Sequence, residues 1–286
     1  MNRASQKRTL LAFPYIFWII AFTLIPVLIL FWYAFTDAEG AFTLKYLAAV
    51  FQKVHLKSLW MSVRLSFVCT VLCLLIAYPL SLCMRSLKIS RKWMLTTIVI
   101  IPMWMNFVLR IMSWQLILSK NGILNRLFSM LSLPPQNLAN SGAAIVIGMV
   151  YDFLPFMLLP IYNSVMDVEE DVLEAARDLG AGTLTVIFKI LVPLNRPGII
   201  SGITMVFVPA LTTFAISDML GGGKVMLIGN IIEQEFLNTM NTHLGSGLSL
   251  ILMVFILIGM LFSFRLERDQ EEYKAKSTAE KEKELC

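Results

Sequence analysis

The side chains that could do chemistry are few and scattered. His55 and His243 are the only histidines, and neither sits in the HExxH spacing that places two imidazoles on one helix face for zinc. Cys69, Cys73 and Cys83 lie in one apolar run and Cys286 is the last residue. No CxxC or metal-ligand spacing joins them, so no disulfide framework and no metal are expected. Cysteines in apolar runs mostly serve as packing. The stretch 221–225, "GGGKV", invites comparison with a phosphate-binding loop, G-x-x-x-x-G-K-[ST]. Asp218 stands where the first glycine belongs, and Val225 where the magnesium-ligating hydroxyl belongs. The stretch reads as a flexible connecting loop. With no catalytic set and no ATP site, the chain is expected to be neither an enzyme nor the holder of a cofactor.

Two ionisable residues stand out by their surroundings. Asp152 in "GMVYDFLPF" and Arg110 in "IPMWMNFVLRIMSW" interrupt apolar sequence. Charged groups at membrane depth are rare and default to functional hypotheses. They could pair with each other as a structural brace, or Asp152 could face a translocation pathway. Asp218, Glu233 and Glu235 follow in a segment that would form an acidic outer mouth, suited to a cation. Trp104, Tyr151 and Trp114 could offer ring faces to that cation, or serve as packing and interfacial aromatics.

What holds these residues is an apolar scaffold. The 286-residue chain is 57% hydrophobic and only 15% charged, with a mean hydropathy of +0.73. A soluble domain carries about a quarter charged residues, so the class is all-α integral membrane. The net charge of +5 does not mark a nucleic-acid binder, because the cations sit in short clusters beside apolar runs. A crossing helix needs about 20 apolar residues. Six such runs occur: 9–36, 65–84, 93–109 continuing past Arg110 to 118, 142–164, 197–217 and 244–264. The first follows a basic start, MNRASQKR, but is far longer than the 7–15 apolar residues of a signal peptide. It is expected to be a retained helix.

Orientation follows the lysines and arginines. With residues 1–8 inside, one side holds Arg3, Lys7, Arg8, Arg85, Lys88, Arg91, Lys92, Arg177, Lys189, Arg196 and the six bases after Phe264. The other side holds only Lys45, Lys53, Lys57, Lys120, Arg126 and Lys224. Both termini and the 165–196 loop are therefore expected in the cytoplasm. The 266–286 tail mixes acids and bases with little apolar content and reads as a solvated, partly disordered end.

The 165–196 loop is the most soluble-looking part of the interior and reads as two short helices. Asp167 can cap the first, with Glu170 three residues on as in a capping box, and Glu169, Glu170 and Asp171 suit its positive end. Val168, Val172, Ala175, Ala176 and Leu179 fall at helical spacing as one apolar stripe. Gly180 and Gly182 end that helix. Thr183 can cap a second one carrying Leu184, Ile187, Ile190 and Leu191, which Pro193 and Pro197 would stop.

The segment "EAARDLGAGTLTVIFKILVP" resembles the EAA motif of binding-protein-dependent ABC importer permeases: E-A-A, three residues, G, nine residues, then I-x-L-P. Glu174, Ala175, Ala176 and Gly180 match, as do Ile190 and Pro193; Val192 replaces the family leucine. The stretches 101–125, 151–165, 172–181 and 226–238 resemble the polyamine (spermidine/putrescine) members of that family. The resemblance implies a type I permease fold, a five-helix core at 60–265 behind an added first helix. It also implies a second permease subunit, a cytoplasmic ATPase dimer that carries the ATP and magnesium, and an extracytoplasmic polyamine-binding protein. In that family the loop docks in a groove of the ATPase. Glu174, Ala175, Ala176, Arg177, Gly180, Ile190 and Pro193 are the residues this assigns to docking. Trp104, Arg110, Tyr151, Asp152 and Asp218 are the candidate pathway residues read from chemistry alone. A stand-alone secondary transporter is the rival class, but no internal repeat of the kind such folds show is visible.

Overall fold

A computed structural model of the chain describes residues 14–15, 17–87, 94, 97–136 and 138–285, with backbone alone for 262 and 266–285. The expected start at 1–8, the first residues of the first span, Lys88, Arg91, Lys92, Trp93 and Cys286 fall outside the described residues. Among those residues the fold is helical; the one pairing of extended backbone joins Thr36 and Phe42.

The helices are α1 (Phe17–Phe35), α2 (Lys45–Ala48), α3 (Lys53–Ser86), α4 (Phe107–Leu118), α5 (Ile123–Met130), α6 (Gly142–Met166), α7 (Glu170–Asp178), α8 (Thr183–Leu194), α9 (Arg196–Thr212), α10 (Ala215–Gly221), α11 (Ile228–Leu237) and α12 (Thr242–Leu285). Four spans are continuous: α1, α3, α6 and the Thr242–Arg265 part of α12. Two more are bent pairs, Thr97–Trp104 with Phe107–Met130 at 100°, and α8 with α9 at 69°. Counting each pair once gives six, the expected number, with the expected 197–217 run falling on α9 and α10.

The first bend corrects the expectation of an unbroken run; the second falls between Pro193 and Pro197, where the loop helix is expected to end. In the third span, Ile101–Trp104 is a 3-10 turn carrying Pro102, after which Asn106 leaves the helical conformation and restarts it. Its side chain accepts from the N–H groups of Val108 and Leu109, a side-chain N-cap. At the second, α8 ends at Leu194, one residue past Pro193 and before the fifth span, and Pro197 lies in the first turn of α9, where its missing N–H costs nothing. The 197–217 run also splits. α9 ends at Thr212, and α10 begins at Ala215. The 221–225 stretch turns the chain away from the end of α10. Gly222 and Gly223 take φ of +55° and +71°, and a Cβ on Gly222 would strike Asn140.

Two compact units are distinguished. The smaller comprises Met1–Lys57 with Ile231–Phe255. In it, His243 packs edge-on to Tyr33 and stacks on Tyr46, with Nδ1 3.1 Å from the Tyr33 carbonyl. Gly247 lies so close to Tyr46 that a Cβ would meet its backbone at 2.8 Å.

The larger unit, Ser58–Asn230 with Ile256–Cys286, holds the main core. α6 and α9 pack at its centre through small residues. A Cβ on Gly198 would lie 2.4 Å from the Ser164 Cβ, and one on Gly202 would lie 2.8 Å from the Met157 sulfur. This is the small-xxx-small contact by which membrane helices approach when no hydrophobic drive separates lipid from protein. Buried amides tie the connections. Asn125 donates to the carbonyls of Ser119, Lys120 and Gln136 at 3.0–3.2 Å. Asn230 accepts from Ser217 and from the Leu227 N–H and donates to Phe214. The thiols of Cys69 and Cys73 are buried and free, 4.0 Å apart.

Beyond Phe264 the backbone of α12 stays helical to Leu285, where sequence suggested a partly disordered end. Lys, Glu and Ala dominate this stretch, and all three favour helix.

Candidate functional site

Two places gather the residues singled out above, and both lie in the larger unit. The first is the α7–α8 loop. The N-cap of α7 is Glu169, in extended conformation, and its side chain makes no capping bond. Asp167 cannot make one, because it is still right-handed helical and ends α6, its N–H bonding to the Asn163 carbonyl at 3.0 Å. The expected capping box is absent, and an arginine that composition flagged only as an inside charge holds the corner instead. Arg85, at the end of α3, donates to the carbonyls of Val165 and Val168, the latter at 2.7 Å. Helix ends leave such carbonyls without partners. The same guanidinium meets the Glu170 carboxylate at 2.9 Å, and Arg177 approaches the other oxygen at 3.7 Å.

The helix after this corner is phased differently from expectation. Leu173 and Ala176 are its buried residues; with Val186 and Leu191 they form a small core, closed by Leu82, Val168 and Ile190 among others. Val172, Ala175 and Leu179 face out, and Leu179 is 89% exposed. Leu184 and Phe188 on α8 are exposed as well. α8 opens at Gly182, so Thr183 is its first residue rather than its cap.

Gly180 behaves as its type demands. With φ of +82° it sits just past the α7 C-cap; its N–H bonds to the Arg177 carbonyl at 2.8 Å and that of Ala181 to the Ala176 carbonyl at 3.0 Å. That pair of bonds is a Schellman motif, which requires a left-handed residue. Nothing lies within 4 Å of a Cβ built there, so a side chain would suffer from the backbone and not from crowding. The motif residues thus divide. Ala176 is buried, Ile190 and Pro193 are half-buried, and Glu174, Ala175, Arg177 and Gly180 are exposed.

The second place is the pair left open by sequence. Arg110 Nε lies 2.6 Å from Asp152 Oδ1, and the side chains are 11% and 4% exposed. Arg110 Nη1 also donates to the Pro102 carbonyl at 2.9 Å, reaching back across the Asn106 break. Its guanidinium carbon lies 5.9 Å from both the Phe107 and Tyr151 ring centroids, within cation–π reach. Trp114 meets Tyr151 edge-on at 5.3 Å. Asp152, Arg110, Tyr151 and Trp114 are therefore one cluster. Trp104 and Asp218 stand apart from it: Trp104 is 86% exposed in the 3-10 turn, and Asp218 is exposed on α10. Phe107 and the Pro102 carbonyl were not foreseen; Asn106, a capping residue inside an apolar run, is the signal that would have located the break.

Comparison with known proteins agrees with this architecture. Residues 74–271 match the family model of binding-protein-dependent transport system inner membrane components. The chain is 35% identical over 259 residues to the spermidine/putrescine transport system permease protein PotB of Haemophilus influenzae, covering 88% of this chain and 91% of that one. It is 32% identical over 259 residues to PotB of Escherichia coli strain K12, with 88% and 94% covered. Among solved structures, a bacterial alginate ABC transporter in complex with an alginate pentasaccharide-bound periplasmic protein superposes with a TM-score of 0.79 at 15% identity, over 93% of this chain and 96% of that one. The chain belongs to the binding-protein-dependent transport system inner membrane components, multi-pass transport permeases that are not themselves catalysts.

Proposed function

We propose that this chain is one membrane-spanning half of an ATP-driven importer of polyamines, spermidine or putrescine. The 60–265 core would form its share of the pathway with a second, PotC-like permease. The loop at 165–196 would seat on a PotA-like ATPase dimer, which supplies ATP, magnesium and hydrolysis. A PotD-like extracytoplasmic protein would deliver the substrate. Identity above 30% along most of the chain to polyamine permeases supports the substrate class. The alginate transporter bound to a periplasmic protein supports the mode of delivery. The excess of lysine and arginine on one side supports cytoplasmic termini and a cytoplasmic loop.

One observation carries the docking role: the outward face of the loop is apolar although the chain has a small core of its own beneath it. Leu179, Leu184 and Phe188 are 89%, 70% and 67% exposed. Covering a side chain of this size is worth about 1.5–3 kcal/mol. Glu174 and Arg177 flank that face and can make charge-assisted contacts at its rim. A rigid two-helix element held this way can pass ATPase movement to α9, which follows it across the 69° bend. The pathway residues are assigned as Asp152, Arg110, Tyr151 and Trp104, with Asp218 nearer its outer mouth.

The test is co-purification of the ATPase with the Leu179→Asp, Leu184→Asp double variant. Both side chains are exposed, so the permease is expected at normal yield with the ATPase lost. Retention of the ATPase with full transport would contradict the docking surface.

A further inference from the structure

We propose that Asp152 is the intramembrane seat for an ammonium group of the cationic substrate, and that Arg110 is the resident counter-ion that gives way to it. This rests on the polyamine reading above. The geometry that points to it is the incompleteness of the pair. Arginine and a carboxylate usually meet fork to fork through two parallel bonds. Here the approach is Nε to Oδ1, at 2.6 Å but out of line for a hydrogen bond, and among the described residues Oδ2 has no hydrogen-bond donor. Asp152 is 5% exposed, so water does not make up the deficit at the surface. A buried acceptor left without a donor is costly. A primary ammonium carries three donors and is small enough to serve both oxygens.

Arg110 has somewhere to go. It is already bonded to the Pro102 carbonyl and lies beside the faces of Phe107 and Tyr151. It can leave Asp152 and stay partnered. The exchange sets one cation in place of another, so the carboxylate is never bare at low dielectric, which is the costly state. The edge-on Trp114 and Tyr151 rings offer the methylene chain of a polyamine an apolar flank beside the charge. Access is tied to the same contact. Pro102 and Arg110 lie on opposite sides of the 100° break at Asn106, and the guanidinium spans it. Release of Arg110 from Asp152 frees the two segments to move about that break and open the closed carboxylate.

The experiment is ATP-driven uptake of labelled spermidine by the complete complex in proteoliposomes, with kcat and KM measured separately. Asp152→Asn is expected to raise KM about tenfold or more, the loss of a charged hydrogen-bonding partner. Arg110→Gln is expected to move both constants down: the seat has lost its competitor, so substrate binds more tightly and leaves more slowly. A structural brace predicts instead that both variants fail in parallel, or that the swapped pair R110D/D152R restores wild-type uptake. Either result overturns the proposal. If Asp152→Asn or Arg110→Gln does not assemble, Asp152→Glu and Arg110→Lys take their place. Arg110→Lys then lowers KM if the cation is a competitor, and an unchanged or raised KM overturns the exchange. No polyamine uptake by the wild-type complex refutes the functional reading itself, and so is distinguishable from failure of the exchange alone.

Discussion

The two arginine–carboxylate sites in the larger unit use the same chemistry for opposite ends. Arg110 and Asp152 are buried, with side chains 11% and 4% exposed, and have few other partners. Arg85 is nearly as enclosed at 13%, but its carboxylate, Glu170, is 56% exposed and is shared with Arg177. At the first site neither charge is easily removed singly: Asp152 has no other donor among the described residues, and Arg110 would keep one carbonyl and two ring faces in place of its counter-charge. At the second, Arg85 matters more for the carbonyls it satisfies than for the ion pair. Depth, not distance, decides what each pair contributes: 2.6 Å and 2.9 Å are almost equal.

The strongest way to break this contrast is Asp152→Ala. It leaves Arg110 buried without its counter-charge and is expected to cost about 3–5 kcal/mol, read as a lower Tm of the detergent-purified complex. Next is Arg85→Ala, which strips two carbonyl bonds and one ion pair. It is expected to cost about 1–3 kcal/mol, with faster amide exchange confined to 165–180. Gly180→Ala should cost about 1 kcal/mol from the left-handed backbone alone, because no atom lies within 4 Å of the new Cβ. Its mark is a shift in ATPase affinity larger than the shift in Tm. The smallest effect belongs to Arg177→Ala. With a 3.7 Å contact and both side chains over half exposed, it is expected to change stability by under about 0.5 kcal/mol. Raising salt from 0.05 to about 0.5 M should weaken ATPase docking through Arg177 and Glu174 and leave the Asp152 site untouched, since buried charges are little screened.

The same contrast explains what could be read from sequence. Spans are written in composition, and all six runs correspond to helices or bent pairs. The α7–α8 loop was legible because its Ala, Gly and Pro positions are set by backbone geometry, and Gly180 does take the left-handed conformation. The phase of α7 was misread for a physical reason. Leu173 and Ala176 pack inside, while Val172, Ala175 and Leu179 form a second apolar face. A helix apolar on two sides does not say which side its own chain covers. Arg85 was missed because charge counting treats a cation as a topological marker and says nothing of the carbonyls it caps. The Asn106 break lay hidden in an apolar run where one capping residue outweighs the composition around it.

The most direct measurement is accumulation of labelled spermidine in proteoliposomes built from this chain, its partner permease, the ATPase and the binding protein, with each component and ATP withheld in turn. The account predicts uptake only when all four proteins and ATP are present. Uptake by this chain without ATP, or ATP-driven import of another solute with none of a polyamine, would contradict it.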